Sequence, residues 1–63
     1  MNRKLKARII EQFGTQIVFA KAIKEYEYFV SRVVQNHTEL PKHEQIRWAN
    51  VLNSRAEDLF GKA

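Results

Sequence analysis

The spacing of apolar residues between positions 15 and 36 constrains the fold of this chain more than any other feature. Apolar side chains recur there at helical intervals in two short runs with a polar turn between them. The pattern predicts one helix from about Gln16 to Ile23, with Thr15 as its N-cap, and a second from about Glu27 to Gln35. The apolar residues of the two runs are Phe19, Ala20, Ile23, Val30, Val33 and Val34.

The segments on either side also carry helical patterns. Residues Leu5 to Phe13 predict a first helix that ends at Gly14, and Pro41 suits the first turn of a fourth helix. The first helix has an apolar stripe of Leu5, Ile9, Ile10 and Phe13, and the predicted inward residues of the fourth are Ile46, Trp48, Ala49 and Leu52. Two helices are expected to end at residues that tolerate a left-handed backbone, Asn36 and Asn53.

A fifth, short helix is predicted near the end of the chain. Ser54 and Glu57 have the spacing of a capping box, which would open a helix that ends at Leu59 and Phe60 before Gly61. Five short helices without any strand pattern predict an all-α fold, a compact five-helix bundle.

Length and composition narrow the function classes. The 63 residues allow a single domain, 1–63, and contain no cysteine for a disulfide or thiolate site. No apolar run approaches the roughly 20 residues that span a bilayer, and the start of the chain does not read as a signal peptide. We therefore expect a cytoplasmic protein that does not associate with membranes.

The chain is basic, which favours a polyanionic partner. Its formal net charge is +4 and its pI is about 9.8. Basic residues cluster at the N-terminus and around residues 15–36, whereas Glu25 and Glu27 interrupt this basic surface. The basic residues concerned are Arg3, Lys4, Lys6, Arg8, Lys21, Lys24 and Arg32.

The order of residues in 15–36 resembles a known motif. Gln16 is followed by an apolar residue and alanine at Phe19 and Ala20, and an apolar-serine pair follows about ten residues later at Val30 and Ser31. This arrangement resembles the helix-turn-helix of phage repressor and Cro-type (lambda repressor-like) DNA-binding proteins. In that motif the second helix enters the major groove and the first crosses the DNA backbone.

The resemblance continues through the rest of the chain. The segment from Leu40-Pro41 to Leu52, and then residues 57–60, are similar to helices four and five of the same family, so the likeness extends from Leu5 to Phe60. It implies a transcriptional regulator that binds double-stranded DNA, commonly as a homodimer on a palindromic operator. Two recognition helices about 34 Å apart would then read successive major grooves, and the effect on transcription would come from occupancy.

Three residues of the turn depart from the family pattern. The family usually has glycine where this chain has Lys24, an apolar residue where it has Glu25, and a small N-cap where it has Tyr26. If Lys24 occupies the glycine position, we expect it to have a positive φ.

The resemblance also implies which residues contact DNA. Gln16 would bind a phosphate at the N-terminus of the first motif helix, where free backbone amides point at the same oxygen. Arg32 could span guanine O6 and N7 or hold a phosphate. The residues expected to face the major groove are Glu27, Tyr28, Ser31 and Arg32, with Phe29 and Gln35 at its margins.

Aromatic residues around the start of the third helix leave an alternative open. Tyr26, Tyr28 and Phe29 could form a protein interface, as in an adaptor or antitoxin-like module on the same fold, since exposed aromatics are typical of interfaces. Tyr28 could instead contact a thymine methyl group, and Phe29 could fold back onto the core.

The sequence offers no enzyme chemistry. His37 and His43 flank Glu39 across a proline-containing loop, a spacing that does not suit a metal site. We find no nucleophile-base set, paired carboxylates or glycine-rich phosphate loop, and we expect no catalytic residue, cofactor, metal or small-molecule substrate. If the chain forms a dimer, we expect the interface at helix five or the residues after it.

Overall fold

Five short helices make up the fold in a computed structural model, which describes residues 1–61. They are α1 (Arg3–Phe13), α2 (Gln16–Ala22), α3 (Glu27–Val34), α4 (Lys42–Val51) and α5 (Ala56–Phe60). No strand occurs in this part of the chain, so the predicted all-α class and the five-helix bundle are confirmed. The first helix begins two residues earlier than predicted, and α2 and α3 each end one residue earlier.

Side chains just before α1 and α2 cap those helices. The Asn2 side chain accepts a hydrogen bond from the Leu5 amide at 3.0 Å, and the Thr15 hydroxyl accepts one from the Val18 amide at 3.1 Å. Asn2 also donates from its backbone to the Val34 carbonyl and from its side chain to the Leu59 carbonyl, both at 2.7 Å. The residue that opens α1 therefore joins the ends of α3 and α5.

Helices α2, α3 and α4 end in the same way. Each is followed by a residue with positive φ: Lys24 at 61°, Asn36 at 63° and Asn53 at 54°. After each, the next amide reaches back five residues to a helical carbonyl, as Glu25 does to Ala20 at 2.9 Å. This is the Schellman motif, and the expected left-handed conformations of Asn36 and Asn53 are confirmed.

A single aromatic side chain lies at the centre of the bundle. Trp48 is fully buried, and its ring lies 5.3 Å from that of Phe19, 6.1 Å from that of Phe29 and 6.4 Å from that of Phe60. These contacts join α4 to α2, α3 and α5. The other buried residues are Leu5, Ile9, Phe19, Ala20, Ile23, Val30, Val33, Val34, Leu40, Ala49, Leu52 and Leu59.

The predicted inward residue Ile46 and one residue of the apolar stripe of α1 face outward instead. Ile46 is 49% exposed, because two residues correspond to about 200° of helix rotation and place it on the side of α4 opposite Trp48. Ile10 is likewise exposed, since Leu5 and Ile9 already occupy the inward face of α1.

The predicted capping box does not form. The Ser54 amide donates to the Ala49 carbonyl at 2.9 Å and its hydroxyl to the Leu52 carbonyl at 3.1 Å, so Ser54 closes α4. Arg55 is therefore the N-cap of α5, and no side chain caps that position. Within residues 1–61, no helix is long and apolar enough to cross a membrane.

Candidate nucleic-acid interface

The helix pair α2 and α3 carries most of the residues that the sequence singled out for DNA contact. Lys24 joins the two helices in the left-handed conformation that we expected at the family's glycine position. Tyr26 precedes α3 in an extended conformation but provides no side-chain cap, so the first turn of α3 has open amides. The turn thus accommodates a lysine with positive φ and an N-cap tyrosine without a capping hydrogen bond.

The start of α2 presents both polar and apolar groups. Gln16 is half-buried there, directly after the Thr15 cap. The amides of a first helical turn have no carbonyl partner within the helix, and the helix dipole places partial positive charge at this end. Exposed Ile17 and Val18 follow, and Lys21 adds a positive charge one turn later.

One side of α3 faces the core, and the opposite side carries the predicted contact residues. Val30, Val33 and Val34 are buried. Among the predicted contact residues, Glu27, Tyr28 and Gln35 are exposed, whereas Ser31 and Arg32 are half-buried. Their one- and four-residue spacings place them on one surface of the helix.

Arg32 does not project freely from this surface. Its Nε donates to the Thr38 hydroxyl at 3.0 Å and its Nη2 donates to the His37 carbonyl at 3.2 Å. Its guanidinium carbon also lies 5.8 Å from the centre of the Tyr28 ring, within cation–π range. Arg32 therefore ties α3 to the loop that follows it and holds Tyr28 in place, roles that the sequence alone did not indicate.

The three aromatic residues near the start of α3 separate into two groups. Tyr26 is 84% exposed and Tyr28 is 70% exposed. Phe29 packs edge-to-face on Trp48 and is half-buried, so the option that it folds back onto the core is the one observed. Of the three aromatic residues considered from sequence for a protein interface, Tyr26 and Tyr28 present their rings to solvent, and Phe29 does not.

The basic residues of α1 differ in their availability. Arg3, Lys4 and Lys6 are exposed. Arg8 instead donates from Nε to the Leu52 carbonyl at 2.8 Å and from Nη2 to the Asn53 carbonyl at 3.1 Å. It also pairs with Glu11 at 2.9 Å, so Arg8 holds the end of α4 against α1 and is lost from the basic surface.

Acidic, histidine and cysteine side chains do not gather anywhere in residues 1–61 in a group that could hold a metal ion. The chain was also compared with known proteins. No family model, curated protein or solved structure matches it.

Proposed function

We propose that this chain binds double-stranded DNA as a helix-turn-helix protein similar to the phage repressor and Cro type. In this proposal α2 lies across the phosphate backbone and α3 enters the major groove. It acts as a homodimer and regulates transcription by occupying its site. Whether it represses or activates depends on where that site lies relative to a promoter.

The observation that carries this proposal is the left-handed backbone of Lys24 between two short helices. The resemblance anticipated a positive φ at this residue, and the value is 61°. A left-handed lysine is strained relative to glycine. Because the turn adopts this conformation despite the strain, the rest of the fold specifies the backbone path between α2 and α3. This backbone path packs the inner side of α3 on the core and leaves its outer side available to a ligand.

The chemistry of the outer face of α3 supports a nucleic-acid ligand. Tyr28, Ser31 and Gln35 provide hydroxyl and amide groups that can bond to base edges or phosphates. Gln16 at the start of α2 can bond to a phosphate, as the resemblance implies. The net charge of +4 supports attraction to DNA, although Glu27 lies on the same face.

A second candidate function uses the same surface for a protein partner. The observation that favours it is the exposure of both Tyr26 and Tyr28, since exposed aromatics are typical of interface centres. The salt dependence of binding distinguishes the two functions. Binding to several phosphates weakens steeply as salt rises, whereas an aromatic interface changes little.

The test compares variants of α3 by fluorescence anisotropy on labelled duplexes, selected and random. Replacement of Arg32 by alanine should lower affinity by about 1–3 kcal/mol if the guanidinium contacts DNA. Tyr28→Ala should cost less on DNA, because a methyl contact is weaker than a bidentate hydrogen-bonded pair. With a protein partner the order of the two losses reverses.

Thr38→Val provides the matched control for Arg32. It removes the hydroxyl that accepts from Arg32 Nε but leaves the guanidinium and its charge. Affinity close to wild type for Thr38→Val, together with a clear loss for Arg32→Ala, supports direct contact with DNA. Equal losses in both variants would instead mean that Arg32 acts only by holding the loop after α3.

A further inference from the structure

The turn between α2 and α3 contains a carboxylate at a position that usually holds an apolar side chain. In a Schellman motif the residue after the left-handed one commonly packs an apolar group onto the end of the helix. Here that residue is Glu25, whose amide donates to the Ala20 carbonyl at 2.9 Å. Its side chain is 31% exposed, so it lies partly against the protein surface.

The partner of this carboxylate comes from α4. Arg47 Nη2 lies 3.5 Å from Glu25 Oε2, and Arg47 Nη1 donates to the Ile23 carbonyl at 3.2 Å. Ile23 is the C-cap of α2, where unpaired carbonyls and the helix dipole favour a positive charge. A single guanidinium thus donates a hydrogen bond to the terminal carbonyl of α2 and forms an ion pair with the carboxylate of the turn.

A second carboxylate fixes the direction of the guanidinium. Glu44, one turn earlier on α4, accepts from Arg47 Nε at 3.0 Å and from Nη2 at 2.6 Å. This pairing uses the planar fork of arginine, so the remaining nitrogen points at the turn. Lysine has no such fork and could not hold all three partners in this geometry.

The backbones of α4 and the α2–α3 pair lie too far apart to fix each other directly. No Cα atom of α4 lies within 8 Å of a Cα atom of α2 or α3. Two adjacent side chains bridge the gap, the apolar Trp48 and the charged Arg47. Trp48 fills the core between the helices, whereas Arg47 contacts the turn that sets the direction of α3.

We propose that Arg47 is a positioning residue for the ligand-binding face of α3. Together with Glu44 and Glu25 it holds the turn in the conformation that presents α3 outward. Without Arg47 the Glu25 and Glu44 carboxylates would lose the cation between them and the Ile23 carbonyl would lose its donor, so the turn would shift. The effect of Arg47 on DNA affinity rests on the proposed function. Its effect on the conformation of the turn and of α3 can be measured in the free protein.

Arg47→Met keeps the aliphatic stem and removes the guanidinium. We expect amide resonances to shift in the turn and along α3, and affinity for duplex DNA to fall by about threefold to tenfold, the scale of partly exposed charged hydrogen bonds. The matched control is Arg55→Met, which removes the same charge from a side chain that is 79% exposed and contacts Glu57 of α5. Arg55→Met should leave the α3 resonances unchanged and lower affinity less.

A rescue variant separates positioning from general loss of stability. The rescue variant combines Arg47→Met with Glu25→Leu. The second substitution removes the turn carboxylate that Arg47→Met leaves without its cation, and leucine can pack on the end of α2 as is common in this motif. We expect the α3 resonances and the affinity to return toward wild type. If Arg47→Met proves unfolded, Arg47→Lys is measured in its place and should show the same α3 shifts, with rescue by Glu25→Leu in the same background.

The outcomes distinguish this inference from the proposed function. Absence of duplex binding by the wild type refutes DNA binding, while α3 shifts that Glu25→Leu reverses would still establish Arg47 as the residue that positions α3. The inference is overturned if Arg47→Met moves α3 resonances no more than Arg55→Met does, or if Glu25→Leu fails to restore them.

Discussion

At the residue scale, three left-handed residues close three helices at different cost. Asparagine adopts this conformation readily, as Asn36 and Asn53 do, whereas a longer side chain such as that of Lys24 costs about 1–2 kcal/mol. Glycine avoids that cost but loses about 0.5–1 kcal/mol through the greater entropy of the unfolded chain. Among Lys24, Asn36 and Asn53, the lysine is therefore the residue least suited to a left-handed backbone.

Lys24→Gly should raise the free energy of unfolding by about 0.5–1 kcal/mol, the net of these two terms. Chemical denaturation of both proteins measures the change, and Asn36→Gly is the control. Asn36→Gly should change the free energy of unfolding less, because asparagine adopts the left-handed conformation at little cost in free energy. An unchanged or lower stability for Lys24→Gly would mean that the lysine side chain contributes favourable contacts that offset its strain.

Trp48 joins four helices and contains a buried polar group that lowers its contribution to stability. Its indole Nε1 is buried and has no hydrogen-bond partner within residues 1–61. A buried donor without a partner costs about 1–3 kcal/mol, so the ring contributes to stability only through its apolar contacts. Those contacts are edge-to-face with Phe19 and Phe29, a favourable geometry for aromatic pairs.

Trp48→Ala should lower the free energy of unfolding by about 3–5 kcal/mol, a large part of the roughly 5–15 kcal/mol of a typical domain. Trp48→Phe should cost less, since it keeps a ring in the cavity and removes the unpaired donor. Trp48 is the sole tryptophan, so its emission reports the core directly. Native emission should be blue-shifted and move to the red on unfolding; emission already red in the native protein would contradict this core.

At the element scale, the sequence predicted helices well where their ends carry local signals. Thr15, Gly14 and the two asparagines mark boundaries through their own backbone or side-chain chemistry, and those boundaries lie within two residues of the structure. The start of α1 was placed too late because Asn2 was not recognised as its N-cap. An asparagine directly before a helical run is a signal that could have found it.

The errors at this scale come from competition between elements. The Ser54–Glu57 spacing fits a capping box, but the end of α4 uses Ser54 first, which no local pattern reveals. Ile46 has the same hydropathy as a core residue, and only the position of Trp48 on the helix shows which side is buried. The sequence did not reveal the acceptors of Arg8, Arg32 and Arg47 that lie on other elements or loops, although Arg8 and Arg47 also pair with glutamates three residues away on their own helices.

The pairing within α4 predicts a pH dependence of stability. The hydrogen bond from Arg47 lowers the pKa of the Glu44 carboxyl below its ordinary value of 4.5, with smaller contributions from the charges of Arg47 and His43 and partial opposition from burial. A carboxyl whose pKa is lower in the folded state stabilises the fold above the unfolded pKa. That stabilisation is lost as pH falls below about 4.5 through the folded pKa.

Glu44→Gln should therefore flatten the fall in unfolding free energy between about pH 5 and pH 3. Urea denaturation at a series of pH values measures the slope. In an Arg47→Met background the same substitution should have little further effect, because the main cause of the lowered pKa is already gone. An undiminished slope in Glu44→Gln would show that other carboxyls account for the acid sensitivity.

At the scale of the whole molecule, fold and function differ in how far sequence could predict them. Helical periodicity fixed the class because five amphipathic segments have few ways to bury their faces in 63 residues. The candidate contact residues lie on α2 and α3, except Gln35, which is the C-cap of α3, and their role in binding stays a prediction. Their availability could not be predicted, since it depends on the loop that engages Arg32 and on the core that takes up Phe29.

The dimer remains a prediction. Helix α5 is five residues long, with Leu59 buried and Phe60 half-buried, and residues 62–63 of the expected interface lie outside the described residues. Binding to two half-sites would require their centres to lie about one helical turn, roughly 34 Å, apart.

The central claim is that the outer face of α3 and the start of α2 bind double-stranded DNA. Titration of isotope-labelled protein with duplex DNA at low salt, followed by amide chemical shifts, tests it most directly. We expect shifts concentrated at Gln16 and at Tyr28, Ser31 and Gln35 that weaken steeply as salt is raised. No shift with any duplex at low salt, or shifts confined to α1 and α5, would contradict the claim.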